Sequence, residues 1–116
     1  MSKIPERPQP DVPSVTHDAL PDNAVLIDVR EDEEWAAGRA PHSIHIPLSQ
    51  FEARLDEVPT DRQIIVCCRS GGRSSRIVKF LIDEGYDAVN LTGGMLEWQL
   101  GNRPMNHEGP GIPYVQ

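Results

Sequence analysis

Two nearly unbroken apolar stretches dominate the pattern along the chain, Ala24–Val29 and Ile64–Cys68. Runs without strict polar alternation predict strands buried on both faces, as in the interior of a parallel sheet. A third run, Ala88-Val89-Asn90-Leu91, follows the turn Gly85-Tyr86-Asp87 and predicts another strand. Ile44-His45-Ile46 alternates like a brief strand before Pro47, and Pro13–Thr16 fits a short edge strand.

Helical spacing fills the intervals. Ser74–Ile82 places Ile77, Phe80 and Leu81 on one face, with Gly85 as the stop. Glu31–Glu34 opens a short helix with its acidic residues where the helix dipole favours them, and Trp35 is expected to pack against the sheet. Ser49 fits an N-cap with Glu52 completing a capping box, and Phe51, Leu55 and Val58 then form one helical apolar stripe facing the core. A last helix is expected around Met95–Leu100, after the turn Thr92-Gly93-Gly94. Strands alternating with helices predict an α/β fold: an open, mainly parallel five-stranded sheet with helices on both faces.

The flanks differ. Residues 1–13 carry Pro5, Pro8, Pro10 and Pro13 and read as an extended lead-in to a domain over residues 14–101. Residues 102–116 are spaced by Pro and Gly and predict an irregular arm, either packed on this or a neighbouring subunit or loose. At 116 residues, one domain with a modest core is expected; with aromatics at 5%, aliphatic side chains must supply it.

Charge removes some functions. Eleven Lys and Arg against 18 Asp and Glu give a net charge of −7, which argues against a surface that binds nucleic acid by neutralising phosphate. Residues 1–20 hold no continuous apolar segment of the signal-peptide type, and no run approaches the ~20 residues that span a bilayer. The two cysteines, Cys67 and Cys68, are adjacent. Their Cα atoms are held about 3.8 Å apart by a trans peptide, short of the ~5.5 Å typical of a disulfide, so a reducing, cytoplasmic setting is expected. His42 and His45 lack Cys or His partners at metal-ligand spacing, and no metal is expected.

The candidate chemistry lies where the Ile64 strand ends. Cys68-Arg69-Ser70-Gly71-Gly72-Arg73 joins that strand to the Ser74 helix, at the sheet edge where open α/β folds bind ligands. A following helix N-terminus, two glycines free to take φ > 0 and the guanidinium groups of Arg69 and Arg73 would favour a thiolate at Cys68. Gly71-Gly72-Arg73-Ser74 lacks the lysine and spacing of a P-loop, and Gly93-Gly94 lacks those of a dinucleotide fingerprint. Asp28 and Arg30 end their strand at the same edge, where they are expected to fasten neighbouring loops by charge-assisted hydrogen bonds. Cys67 should point away from Cys68 if strand alternation continues. It reads as a small buried hydrophobe or as a resolving thiol.

The loop Cys68–Arg73 resembles the six-residue active-site loop of the rhodanese (thiosulfate sulfurtransferase) family. Leu26-Ile27-Asp28-Val29-Arg30 with Glu34-Trp35, the segment from Gly38 to Pro47, and Gly93-Gly94-Met95-Leu96-Glu97-Trp98 resemble further family signatures, in family order. Within the second of these, Arg39 stands where the family usually has histidine, and His42-Ser43 replaces a Gly-Ala pair. The resemblance implies a rhodanese-like fold and sulfane-sulfur transfer through a Cys68 persulfide. Arg69 would dock a small anionic sulfur donor, Arg73 would steady the loop or share that task, and Ser70, Gly71 and Gly72 would complete the cradle, with Asp28, Arg30 and Ser74 in support. A thiol would accept the sulfur, and either the donor or the acceptor could itself be a protein; no cofactor is needed. The rivals are a persulfide carrier or adaptor serving a larger protein and a Cys-based phosphatase or arsenate reductase. Cys-based phosphatases usually place five residues between cysteine and arginine, where this loop has four.

Overall fold

The computed structural model describes residues 1–116. In chain order the elements are β1 (Ser14–Val15), β2 (Val25–Asp28), α1 (Asp32–Ala37), β3 (Ile44–His45), α2 (Leu48–Phe51), a 3₁₀ turn at Leu55–Glu57, β4 (Ile64–Cys67), α3 (Gly72–Asp83), β5 (Ala88–Leu91) and α4 (Gly94–Leu100). The five strands form one sheet in the order β1-β5-β4-β2-β3, and every pair is parallel. The sheet is therefore wholly parallel rather than mainly so.

Strand alternation divides the core into two layers. Ile27, Val29, Ile64, Val66 and Cys68 face one side, against Phe51 of α2 and Ile77, Val78, Phe80 and Leu81 of α3. Ile65, Cys67 and Leu91 face the other, against Met95 and Trp98 of α4. Consecutive β4 residues thus pack into opposite layers, which is why the strand's sequence reads apolar throughout.

Two local expectations need correction. Ser49 does not cap α2: the helix starts after Pro47, without a side-chain cap, and is a single turn. Glu52 instead accepts from Ser2 Oγ at 2.6 Å, and the capping box belongs to α1, between Glu31 and Glu34. Phe51, Leu55 and Val58 lie on two short turns rather than one helix, since Arg54 leaves helical geometry between them. Phe51 and Val58 are buried and Leu55 packs against them, so the stripe reaches the core without a continuous backbone helix. Trp35 packs against the sheet as expected, at its edge strand β3 rather than in either core layer. It stacks on His45 at 4.5 Å between ring centroids, with the Arg39 guanidinium 4.8 Å from its ring, at the sheet edge formed by β3.

Both flanks lie on this same chain. Gln9 N–H donates to Ser75 Oγ at 2.8 Å and Arg76 Nε donates to Pro5 O at 2.7 Å, so the lead-in runs beside α3. The C-terminal arm pairs Arg39 with Asn106, hangs Tyr114 N–H on Ala37 O and buries Val115 in the α4 layer. No helix is long and apolar enough to cross a membrane.

Candidate active site

The loop after β4 begins at the C-terminal edge of the sheet and ends in α3, whose N-cap is Gly71 at φ 113°. That left-handed conformation suits glycine. Gly72 needs no such freedom: it is the first residue of α3, so one of the two glycines supplies the turn.

The turn aims backbone donors at Cys68. Gly71 N–H points to Sγ at 3.1 Å and Ser74 N–H at 3.4 Å, while Ser74 Oγ lies 3.3 Å away. Cys68 is 1% exposed and belongs to the core layer between the sheet and α3, with the Gly71 and Ser74 amides directed at its sulfur. The amide groups of Arg69, Ser70, Gly72 and Arg73 donate to no group in the protein, which leaves a row of unpaired N–H groups around the loop. Such a row, at the N-terminus of a 12-residue helix, favours an anion.

Two anchors hold the loop. From one side, Met95 N–H donates to Cys68 O at 2.9 Å and Leu96 N–H to Arg69 O at 3.0 Å, so the start of α4 fixes both peptide planes. Gly94, at φ 58°, makes this possible: a Cβ there would lie 2.6 Å from Cys68 O and 2.7 Å from Arg69 O. From the other side, Arg73 forms a two-pronged pair with Glu34 of α1, Nη1 to Oε1 at 2.8 Å and Nη2 to Oε2 at 2.9 Å. That pair holds the Glu34 carboxyl at about 2, chiefly through the Arg73 hydrogen bonds against an opposing effect of burial. It likewise raises Arg73.

Arg69 is placed differently. Its side chain is exposed and its Nε donates to the main-chain oxygen of Gln116, while its Nη groups make no hydrogen bond to the protein. The irregular arm therefore reaches the rim of the loop. Ser70, Gly71, Gly72 and Asn90 line a cavity of about 250 Å³ walled on its far side by Pro8–Pro10.

Asp28 and Arg30 are not gathered at the sulfur. Asp28 sits beside Cys67 in the β2–β4 register. Arg30 Nε and Nη2 donate to its carboxylate at 3.0 and 2.7 Å, and Nη2 also donates to Gly38 O at 2.7 Å. Both side chains are fully buried, and Arg30 Nη1 has no partner. The pair ties the end of β2 to the loop after α1. Cys67 lies in this layer, and burial followed by the Asp28 charge pushes its thiol well above the ordinary range. Such a thiol is a poor nucleophile and packs as a small apolar side chain.

The sequence carried weak signals for what was missed. Glu34 was legible as a helix-opening acid but not as the partner of Arg73, 39 residues away. Asn90 interrupts an otherwise apolar strand. Its Oδ1 accepts from Ser74 Oγ at 2.6 Å, and its Nδ2 donates to Gly71 O at 3.1 Å.

A cysteine at a strand end, a glycine turn and a helix start that aims amides at sulfur set the terms for comparison with known proteins. The Rhodanese-like domain model matches residues 13–100. The chain belongs to that family. Among its rhodanese-like relatives, the putative sulfurtransferase YtwF of Bacillus subtilis is 40% identical over 81 residues, which are 70% of this chain and 79% of that protein. The thiosulfate sulfurtransferase GlpE of Actinobacillus succinogenes is 36% identical, over 72% of this chain and 77% of its own. A rhodanese-related protein from Thermoplasma volcanium superposes with a TM-score of 0.78 at 30% identity, covering 83% of this chain and 99% of that one. Rhodanese membership and relatives named sulfurtransferases support sulfur transfer at the level of the family.

Proposed function

We propose that the protein transfers sulfane sulfur through a persulfide on Cys68, from thiosulfate or a donor of that kind to a thiophilic acceptor. The observation that carries this reading is the direction of the Gly71 and Ser74 amides, both onto Sγ, at a loop with four further amides unpaired. In the first half-reaction the Cys68 thiolate attacks the outer sulfur of thiosulfate. A new S–S bond forms, the bond between the donor's two sulfurs breaks, and sulfite departs with the electron pair. The outer sulfur then carries the negative charge that the unpaired amides can receive, as an oxyanion hole receives oxygen. In the second half a thiol, or cyanide in an assay, takes that sulfur and regenerates the Cys68 thiolate, which is ping-pong chemistry.

The arginines divide the work. Arg73 is committed to Glu34 and steadies the loop, whereas Arg69 keeps its Nη groups open at the rim, where the anionic end of a donor would dock. Ser70, Gly71 and Gly72 contribute backbone and cavity wall, Ser74 contributes its amide and hydroxyl, and Asp28 and Arg30 support from the opposite layer.

Intact mass after thiosulfate treatment tests the proposal. The protein is expected to gain the mass of one sulfur atom, lose it on adding cyanide, and gain nothing as the Cys68→Ser variant. Thiosulfate-treated protein with unchanged mass, or an equal gain in Cys68→Ser, would overturn it.

A further inference from the structure

The polar groups around Cys68 form a chain whose hydrogen-bond directions are fixed from its far end. Gly71 O is a carbonyl and only accepts; it already receives Ser75 N–H at 3.2 Å, and the second group facing it is the side-chain amide of Asn90 at 3.1 Å. The Asn90 NH₂ must therefore face Gly71, and its Oδ1 must face Ser74. At 2.6 Å from an oxygen that only accepts, the Ser74 hydroxyl has to donate. A hydroxyl has one proton. Once that proton is given to Asn90, Ser74 Oγ presents lone pairs to the sulfur 3.3 Å away. A thiol satisfies that arrangement by donating S–H to Oγ while it accepts the Gly71 and Ser74 amides. A thiolate does not satisfy it, because lone pairs would then face lone pairs.

From this we infer that Asn90 is a positioning residue that sets the direction of the Ser74 hydroxyl beside Cys68: by holding the hydroxyl proton, it presents lone pairs rather than a donor to the sulfur until that hydroxyl turns toward it. The inference rests on Cys68 being the reacting group. Ionisation sends the S–H proton to solvent water, breaks the Ser74–Asn90 hydrogen bond and forms a Ser74 O–H···S⁻ bond in its place. Asn90 acts as a latch on the change of state. The same amide, through Gly71 O, also holds the turn whose N–H reaches the sulfur, so the latch and the anion cradle share one side chain. A purely structural asparagine would hold the turn but would not decide which way the hydroxyl points.

A double-mutant cycle read by the pH dependence of Cys68 alkylation with iodoacetamide separates these roles, with Cys67→Ala as the common background. With Asn90 present, the Ser74 hydroxyl serves the thiol, so Ser74→Ala leaves the alkylation midpoint unchanged or lowers it. With Asn90→Ala, the freed hydroxyl serves the thiolate, so adding Ser74→Ala raises the midpoint by about one pH unit. Any loosening of the Gly71 turn by Asn90→Ala is common to both members of the second pair and drops out. Asn90→Asp keeps an acceptor for Ser74 but loses the donor to Gly71, and should retain the wild-type direction. It supplies the comparison if Asn90→Ala does not fold. A Ser74→Ala effect of the same sign and size with Asn90 intact and with Asn90→Ala, or a reversal of that sign in Asn90→Asp, would overturn the latch. The readout is independent of sulfur transfer: failure to form a persulfide with an intact cycle would sink the proposed function alone, and the converse result would sink the latch alone.

Discussion

Replacing Gly94 with alanine should damage the loop around Cys68 from a position outside it. The added Cβ would meet Cys68 O at 2.6 Å and Arg69 O at 2.7 Å, well inside the 3.4 Å at which such contacts become ordinary, and both neighbours are backbone. Something in the main chain must retreat, and the bonds nearest the clash are Met95 N–H to Cys68 O and Leu96 N–H to Arg69 O. Alanine in the left-handed conformation costs about 1–2 kcal/mol, and weakening two backbone hydrogen bonds costs about 1 kcal/mol each, for a total of about 3–4 kcal/mol. Gly85 provides the control. It also has positive φ, at 94°, but a Cβ there meets nothing within 4 Å, so Gly85→Ala should lose only the conformational part. Urea denaturation of the two variants should separate them by about 2 kcal/mol, a shift of about 1 M in midpoint. Sulfur transfer from thiosulfate should fall about 100-fold in Gly94→Ala, since displacing a reacting group by about 1 Å has that effect. If Gly94→Ala unfolds together with Gly85→Ala and keeps full transfer, the account of how α4 anchors the loop is wrong.

Two further substitutions test the buried and half-buried ion pairs. The Glu34 carboxyl is depressed to about 2 by Arg73, so its contribution is complete above its ordinary value near 4.5 and is lost as pH falls toward 2. Glu34→Gln should cost about 1–2 kcal/mol near neutral pH, a value reduced by solvent at this partly exposed pair, and the gap from wild type should close in acid. Urea midpoints across that range check it; a gap independent of pH would contradict the pairing. Asp28→Asn should be harsher, because it strands the fully buried Arg30 guanidinium without a carboxylate, at a cost of about 3–5 kcal/mol. Thermal unfolding should show that loss and its recovery when Arg30→Met is combined with Asp28→Leu; no recovery would mean that the charges are not the cause.

The two halves of this molecule were legible to different degrees. Ile64–Cys67, Val25–Asp28 and Ala88–Leu91 announce themselves because a strand covered on both faces needs apolar residues at every position, so composition alone marks it. The loop from Cys68 to Arg73 was legible because its parts are contiguous: cysteine, glycine turn and helix start are consecutive in the chain. The capping of α2 was misread because Ser49 and Glu52 satisfy a local pattern, whereas Glu52 found its partner in Ser2, 50 residues away. No local spacing could show that Glu34 meets Arg73, that α4 hangs on the carbonyls of Cys68 and Arg69, that Gln116 reaches Arg69, or that Asn90 faces Ser74. Those contacts depend on where a parallel sheet brings its strand ends together, and hydrogen bonds formed there act across separations that periodicity does not record. Sequence determined where a cysteine meets the glycine turn at the end of β4; the tertiary structure decided which groups surround its sulfur.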